Sequence, residues 1–456
     1  MTGPPDRMRA AGITGKGALV IFGSSGNLAT TRIIPAALRL GRTGSVPGSF
    51  LILGIDKKPP KGAGKIPGFQ FIRGDFGSRS TFSSVGKALA DIAKGTEPRV
   101  MYYLATRPEL FAGIVDRLQK EGLSPPRLGD VSVMVEKPFG VDLGSAQVLE
   151  SRLRAAFPQR SIFRVDHFLG KSGTEQIRLA RDDSPRLEPV WNHRFIDHVQ
   201  IMADESLDVG ERGSFYDSVG VVRDMVQSHL FQLLCLVAME PPESAGPAEV
   251  ARSKARVLRA MMMPSNEEVV WGQYRGYGQA PGVRKDTRTP TFAALKVAVD
   301  NARWIGVPFY LRTGKALART ATEVVVVFRD RAPLQKKAQG GLSSIRFCID
   351  PLARMVVEPQ GEGTVAPWKG PRQKADEYET LLLEAFNGSQ ASFVDARFNL
   401  IAWRLLEPLL RGWEKKTNPL EPTPYERGTW GPSAADGLLA ADGRSWRDGR
   451  RSSGSC

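Results

Sequence analysis

The stretch ALVIFGSSGNLATTRIIPAALRL, Ala18–Leu40, decides the fold class of this chain. Its first part, Ala18–Gly23, is short, apolar and rich in β-branched and aromatic residues, which predicts a buried strand. The remainder carries apolar residues at helical spacing, with Pro35 expected to bend the helix. A strand that passes through a glycine turn into a helix is the usual opening of a βαβ unit.

The same alternation continues along the first third of the chain. Strands are predicted at Phe50–Ile55, Val100–Thr106 and Val131–Lys137, and an amphipathic helix at 109–122. Apolar strands that alternate with amphipathic helices indicate a parallel sheet covered on both faces. Beyond about residue 165 the alternation is lost: strands at 197–204, 323–330 and 343–350 and long helices at 218–239 and 376–388 predict an α+β second half.

Charge and composition limit the functional classes. The formal net charge of +15 favours polyanions such as nucleic acid, anionic membranes or phosphorylated small molecules. Part of this charge lies in the tail Arg444–Cys456 and the rest is dispersed among acids, so nucleic-acid binding is the weaker alternative. The longest apolar runs, such as Leu233–Met239, are shorter than a membrane span and no signal peptide is evident, which predicts a cytoplasmic protein. Cys235, Cys348 and Cys456 are far apart and predict no disulfide framework.

The turn Gly23–Gly26 is a candidate dinucleotide site. It follows a strand and opens a helix, so its backbone N–H groups and the helix dipole can face a pyrophosphate, although a plain strand-helix turn has the same sequence. At the end of the second strand a carboxylate normally selects NAD and a basic residue NADP. Asp56 is followed directly by Lys57 and Lys58, so the sequence leaves the coenzyme open.

All four histidines fall between His167 and His229, but no pair has the spacing of a zinc site, and we expect no metal. His229 shares an apolar helical stripe with Val222, Val226 and Leu233. From the residues alone it is either a core histidine or a general base that needs a carboxylate from elsewhere. Asp166, His167 and Lys171 form a second charged group, within the apolar stretch FRVDHFLGKSG, and are either a solvated turn or a site for a charged ligand.

Longer strings then resemble a known family, the glucose-6-phosphate dehydrogenases. The similarity runs in order from about residue 18 to about residue 446 and is carried by the opening stretch together with EKPFGVDLGSA (136–146), FRVDHFLGK (163–171), EPVWNHRFIDHVQI (188–201), residues 211–242, residues 291–317 and TWGPSAADGLLAADGRSW (429–446).

The resemblance implies a domain organisation. After a flexible N-terminus at 1–15, it implies an α/β Rossmann coenzyme-binding domain at 16–164 and an α+β domain with a large, mainly antiparallel sheet at 165–445, followed by a disordered basic tail at 446–456. Family members associate through that sheet, so a homodimer or homotetramer is implied.

The resemblance also implies a reaction, the oxidation of glucose 6-phosphate at C1 to 6-phosphogluconolactone with NADP, the first oxidative step of the pentose phosphate pathway. His229 would be the base and Asp166 its carboxylate partner. The substrate-binding residues implied in this way are Lys137, His167, Lys171, Glu205, Asp224 and Lys315. The cofactor-binding residues are Gly23, Ser25, Gly26, Leu28, Lys57, Tyr103 and Lys137, and NAD stays an alternative to NADP.

Several positions depart from the family pattern. Phe168 replaces a usual tyrosine and Thr320 a usual basic residue, so sugar phosphate should bind less tightly unless Arg319 compensates. The chain is also shorter than the family pattern after Lys58 and around 358–374. These departures leave a second hypothesis, a non-catalytic or altered-specificity paralogue that binds sugar phosphate or dinucleotide.

Overall fold

A computed structural model describes residues 16–46, 49–93, 98–125, 130–182, 187–244, 246–329, 342–359, 366–368, 376–414, 421–450 and 456. The chain divides into two units, Met1–Gly170 with Ala375–Ala396, and Lys171–Lys374 with Arg397–Cys456. The boundary therefore lies six residues beyond the predicted one, since 170 − 164 = 6, and the helix expected at 376–388 belongs to the first unit, not to the second. The N-terminus expected to be flexible, 1–15, lies outside the described residues.

Strands and helices have the following bounds in chain order. The strands are β1 Lys16–Phe22, β2 Ser49–Asp56, β3 Phe69–Arg73, β4 Arg99–Leu104, β5 Val131–Glu136, β6 Ile162–Val165, β7 Ile196–Asp204, β8 Met261–Met262, β9 Val269–Tyr274, β10 Phe292–Val299, β11 Phe309–Gly314, β12 Ala321–Phe328, β13 Leu342–Asp350, β14 Arg354–Pro359, β15 Ala366–Trp368 and β16 Thr423–Tyr425. The α-helices are α1 Ile34–Arg42, α2 Arg79–Ala93, α3 Phe111–Lys120, α4 Leu143–Ala156, α5 Ser172–Asp182, α6 Gly213–Val221, α7 Phe231–Ala238, α8 Pro247–Ala260, α9 Glu377–Phe386, α10 Ala396–Glu414 and α11 Ala434–Ala440. Two π-helical segments, Ala29–Ile33 and Val222–Leu230, lead into α1 and α7.

The first unit is built on a six-stranded parallel sheet in the order β3-β2-β1-β4-β5-β6. Residues 18–22 of β1, at its centre, are completely buried, as the continuous apolar sequence predicts. The strand order reverses direction between β1 and β4, which is where doubly wound sheets bind their ligands at the carboxyl ends of the strands. The α/β prediction for this half is confirmed.

One face of this sheet packs on α1 and on α9, which returns from late in the chain. Tyr378, Leu381 and Leu382 of α9 join the buried cluster that contains Tyr103 and Met134 of the sheet. The strand β6 contributes Phe163 to the same buried cluster, where its ring meets the ring of Phe393 edge-on. The first unit is thus completed by a segment that local sequence patterns assigned to the second.

The second unit contains a ten-stranded sheet. Nine strands follow in the order β15-β14-β13-β12-β7-β11-β10-β9-β16, and β8 pairs with β10. Most pairs are antiparallel, whereas β11 with β7 and β16 with β9 are parallel. The predicted large, mainly antiparallel sheet is confirmed.

One helical stretch among the described residues, Gly210–Ala238, is long and apolar enough to cross a membrane by length and composition alone. Its most apolar window is 89% buried inside the protein. Because core helices pass the same test, the stretch is weak evidence for a membrane span.

The C-terminal segment differs from its prediction. Trp446 is buried and Asp448 is fully buried against Arg312, so residues 446–450 are ordered rather than a disordered tail, while 451–455 lie outside the described residues. Cys348 and Cys456 form a disulfide, so the expectation of no disulfide was wrong. Their separation of 108 residues in sequence concealed that the chain end runs beside β13.

Candidate active site

The glycine turn of the first unit is tightly packed at its first residue and exposed at its third and fourth residues. Gly23 has φ +87°, and a Cβ there would lie 2.6 Å from the carbonyl oxygen of Ala105, so only glycine fits. Ser25 and Gly26 are exposed, and the helical run begins directly after them. Leu28 is half-buried and packs on the apolar cluster beneath, which anchors the start of that helix.

The two candidate coenzyme selectors at the end of β2 have different surroundings. The carboxylate of Asp56 accepts hydrogen bonds from the backbone N–H of Ser25 at 3.1 Å and from its hydroxyl at 2.6 Å. Lys57 is exposed, with Nζ 3.5 Å from the carboxylate of Asp75. The backbone N–H of Gly77 and, to a lesser degree, Lys57 hold the pKa of Asp75 below its ordinary value. Asp56 is therefore engaged by the glycine turn, whereas Lys57 is exposed and lies beside Asp75.

The side chain of Tyr103, the residue expected to contact the cofactor, lies in the buried cluster of the first unit. Its side chain is fully buried, and its hydroxyl donates a 2.5 Å hydrogen bond to Glu136, the last residue of β5. Burial is the main cause that raises the pKa of Glu136 to about 7. We therefore assign Tyr103 to holding Glu136, and Glu136 is a residue that the sequence analysis missed. The sequence feature that could have revealed Glu136 is a single acidic residue at a core-facing position of the otherwise mostly apolar strand VSVMVE.

The end of β6 fixes the turn that follows it. Asp166 is fully buried, and its Oδ1 accepts a hydrogen bond of 3.0 Å from the backbone N–H of Phe168. Phe168 is buried and its ring meets that of His167 edge-on, 5.0 Å between centroids. The apolar frame of this stretch thus sets the directions of Asp166 and His167, and His167 stays half-exposed.

Lys171 opens the second unit and contacts a residue that the sequence did not suggest. Its Nζ donates a 2.9 Å hydrogen bond to Oδ1 of Asp350, the last residue of β13. The start of α5 lies directly on this strand, because a Cβ on Gly173 would meet the Cα of Ile349 at 2.5 Å. Close packing therefore places Asp350 beside Lys171.

Glu205, Asp224 and Lys315 come together in the second unit, as expected for residues that act on one ligand. The buried ammonium of Lys315 bonds the carboxylate of Glu205 and lies 3.4 Å from that of Asp224. Burial opposes the charge of Lys315, but the two carboxylates outweigh it and raise its pKa. Its backbone carbonyl accepts a 2.6 Å hydrogen bond from the hydroxyl of Tyr425, which fixes the loop after β11.

His229 lies in the π-helical segment Val222–Leu230 and is 1% exposed. The sequence pattern assumed an α-helix, in which residues five apart point to different sides. In a π-helix, residues i and i+5 are joined by the backbone hydrogen bond and are about one turn apart. The π-winding therefore brings Asp224 and His229 toward the same side of the helix.

Arg319 and Thr320 contact different residues of the second unit. The guanidinium of Arg319 forms an ion pair with Glu323 and lies 5.4 Å from the ring of Trp430. Thr320 Oγ1 instead contacts Ser206, at 2.8 Å from its hydroxyl and 2.9 Å from its backbone nitrogen. The suggestion that Arg319 takes over the role of the missing basic residue stays a prediction. Among the residues that the structure describes, no group of three or more His, Cys, Asp or Glu side chains is arranged to hold a metal ion.

Comparison with known proteins identifies the family. The model of the glucose-6-phosphate dehydrogenase NAD binding domain matches residues 65–175, and that of the C-terminal domain matches 180–360 and 364–447. The chain belongs to the glucose-6-phosphate dehydrogenase family.

Relatives in the glucose-6-phosphate dehydrogenase family match over almost their whole length. Glucose-6-phosphate 1-dehydrogenase of Mycolicibacterium smegmatis is 35% identical, with 94% of this chain and 97% of the relative covered. That of Bacillus subtilis is 32% identical, with 94% and 98% covered. The crystal structure of the Mycobacterium avium enzyme aligns with a TM-score of 0.81 at 34% identity, over 95% of this chain and 98% of the other. A glucose-6-phosphate dehydrogenase in complex with glucose 6-phosphate aligns with a TM-score of 0.83 at 27% identity, over 95% and 99%.

Proposed function

We propose that this member of the family oxidises glucose 6-phosphate at C1 to 6-phosphogluconolactone and passes the hydride to NADP. The observation that carries the proposal is the charged group of Lys315, Glu205 and Asp224, with Asp224 and His229 on one side of the same π-helical segment. Such a group offers carboxylates and an ammonium to sugar hydroxyls or phosphate next to a histidine. A merely folded paralogue would not need these groups together.

His229 is the proposed general base. Its imidazole takes the proton of the C1 hydroxyl while the hydride leaves C1, and Asp166 is the carboxylate proposed to favour the imidazolium that forms. The complete burial of Asp166 supports this role, because a buried carboxylate acts strongly on a nearby cation. When bound, NADP supplies the hydride acceptor.

Cationic side chains bind the phosphate group in this proposal. His167 and Lys171 contact the sugar phosphate, and Lys137, half-buried at the end of β5, reaches both substrate and coenzyme. Charge-assisted hydrogen bonds from such cations suit a phosphate dianion. The departures Phe168 and Thr320 predict weaker phosphate binding than in a family member with the usual tyrosine and basic residue.

NADP is the proposed coenzyme, held at the turn by Gly23, Ser25, Gly26 and Leu28. The engagement of Asp56 by Ser25 supports NADP over NAD, because this carboxylate is then held at the turn rather than at the ribose 2′-hydroxyl. The exposed Lys57 fits a 2′-phosphate. NAD stays the second candidate, since Asp56 can release Ser25 when coenzyme binds.

Cellular context is proposed from the family. The proposed protein is a cytoplasmic homodimer or homotetramer that acts on glucose 6-phosphate and has no nucleic-acid or membrane partner. A small phosphorylated substrate is one of the classes of ligand that the basic net charge favours. Size-exclusion chromatography with light scattering measures the oligomeric state.

The test is an assay of reduced coenzyme formed from glucose 6-phosphate with NADP and with NAD at matched concentrations. We expect turnover with both and a higher kcat/KM with NADP. His229→Asn should abolish turnover, by about 10³-fold or more, and largely spare substrate binding measured by calorimetry. His193→Asn, a histidine in a turn of the same unit, is the matched control and should keep full activity. Substrate binding by the wild-type chain without turnover would instead identify the paralogue.

A further inference from the structure

Glu136 is an acid in an apolar environment. In the parallel pairing of β5 with β6, Glu136 is opposite Val165. Met134, two residues earlier on the same face of β5, is opposite Phe163. Met134, Phe163 and Val165 belong to the buried apolar cluster to which α9 contributes. Glu136 therefore faces the apolar core of the first unit rather than solvent, and it is 7% exposed.

The polar groups around Glu136 come from four elements. Tyr103 of β4 donates its hydroxyl to the carboxylate at 2.5 Å. The phenol of Tyr378, from α9, is close enough that the charges of Glu136 and Asp166 raise its pKa, although burial is the larger cause. Lys137 is the next residue of the chain, and Asp166 follows the last residue of β6.

This environment keeps the carboxyl group neutral to an unusually high pH. Burial is the largest cause that disfavours the carboxylate form of Glu136, and the negative charge of Asp166 acts in the same direction. The hydroxyl of Tyr103 and the charge of Lys137 favour the carboxylate form. The net effect raises the pKa of Glu136 to about 7. A group with such a pKa changes its charge within the working range of most enzymes.

We propose that Glu136 is a positioning residue for the reaction, which acts through Lys137 and whose ionisation weakens the binding of the anionic ligands proposed to contact Lys137. The inference rests on the proposed role of Lys137 at coenzyme and substrate. When Glu136 loses its proton, a second negative charge appears beside Asp166 and next to Lys137, and this charge repels phosphate groups.

Thermodynamic linkage makes the inference measurable. If ionised Glu136 weakens the binding of an anion, then binding of that anion must favour the protonated form and take up protons. At the pKa of the group, an affinity that is three- to tenfold lower for the ionised form corresponds to an uptake of roughly 0.25 to 0.4 proton for each NADP bound. Between pH 6 and 8.5 the Kd of NADP should rise about three- to tenfold more in the wild type than in Glu136→Gln, which is uncharged throughout.

The experiment is titration calorimetry of NADP into the purified full chain at pH 7, in two buffers of different ionisation enthalpy. We expect proton uptake in the wild type and a smaller uptake in Glu136→Gln, with the 2′-phosphate of NADP contributing equally to both. Equal uptake in the two proteins would overturn the inference.

A second variant pair keeps the test valid if Glu136→Gln does not fold. Tyr103→Phe removes a hydrogen bond that favours the carboxylate, so the pH at which NADP binding weakens should move upward. Tyr102→Phe is the matched control, because Tyr102 is the neighbouring residue of β4, equally buried, and donates to the carbonyl of Leu123 instead. A midpoint that is the same in Tyr103→Phe and in the wild type would refute the inference.

The proton-uptake measurement and the turnover assay test different statements, so a failure of this inference can be told apart from a failure of the proposed function. Uptake that depends on Glu136 in a chain without turnover would contradict the proposed function and leave this inference intact. Turnover without such uptake would do the reverse.

Discussion

The contact between Lys171 and Asp350 bears directly on how the sugar phosphate is held. A carboxylate 2.9 Å from the ammonium of Lys171 competes with phosphate for the same cation. The two side chains are 12% and 38% exposed, so solvent screens the pair only in part.

Replacing Asp350 should therefore strengthen substrate binding. We expect Asp350→Asn to lower the KM for glucose 6-phosphate about two- to tenfold, because the competing charge is lost while the shape is kept. The KM for NADP should not change, which makes it the internal control in steady-state assays. A higher KM for glucose 6-phosphate would show that Asp350 orients Lys171 rather than competing for it.

At the scale of single elements, β5 is the strand whose stability should respond to pH. The pKa of Glu136 is about 7 in the folded chain against an ordinary value of 4.5. Because the folded-state pKa is the higher one, its stabilising contribution is complete below pH 4.5 and is lost as the pH rises to about 7. Ionised Glu136 thus destabilises the first unit at neutral and higher pH.

Urea denaturation at pH 5 and pH 8 measures this loss. We expect the free energy of unfolding of the wild type to fall by roughly 2–3 kcal/mol more than that of Glu136→Gln over this range. Glu109→Gln, at an exposed position of the same unit, serves as control and should follow the wild type. Parallel behaviour of wild type and Glu136→Gln would show that the carboxyl titrates near its ordinary pKa.

Elements also differ in how far their sequences predict them. The strand, turn and helix that begin at Lys16 could be predicted, because a continuous apolar run and a glycine are local signals. The π-helix around His229 could not, because Val222, Val226, His229 and Leu233 fit the α-helical period equally well. The contacts of Lys171 with Asp350 and of Tyr103 with Glu136 join residues 179 and 33 positions apart, and no local pattern records them.

At the scale of the whole molecule, two segments late in the chain contradict local expectation for the same reason. The helix Glu377–Phe386 completes the first unit, and residues 446–450, which are polar except for Trp446, complete the second. Arg312 is buried between Asp204 and Asp448, so the C-terminal segment supplies one of the two carboxylates that this guanidinium needs. The composition of the segment indicates that it is mostly polar, but it does not indicate that Arg312, a buried residue far away in the sequence, forms an ion pair with it.

The disulfide between Cys348 and Cys456 should make global stability sensitive to reduction. It closes a loop with a sequence separation of 108 residues and holds the chain end that carries Asp448 to Arg312. A loop of this size restricts the unfolded chain strongly, so reduction or Cys456→Ser should lower the free energy of unfolding by roughly 2–5 kcal/mol. Urea denaturation with and without dithiothreitol measures the effect. The reductant should not change Cys456→Ser further, since no disulfide remains in it and the two remaining thiols, Cys235 and Cys348, are buried. A wild-type chain whose unfolding is the same with and without reductant would show that the terminal segment is held by its ion pairs and by the packing of Trp446, and not by the covalent bond.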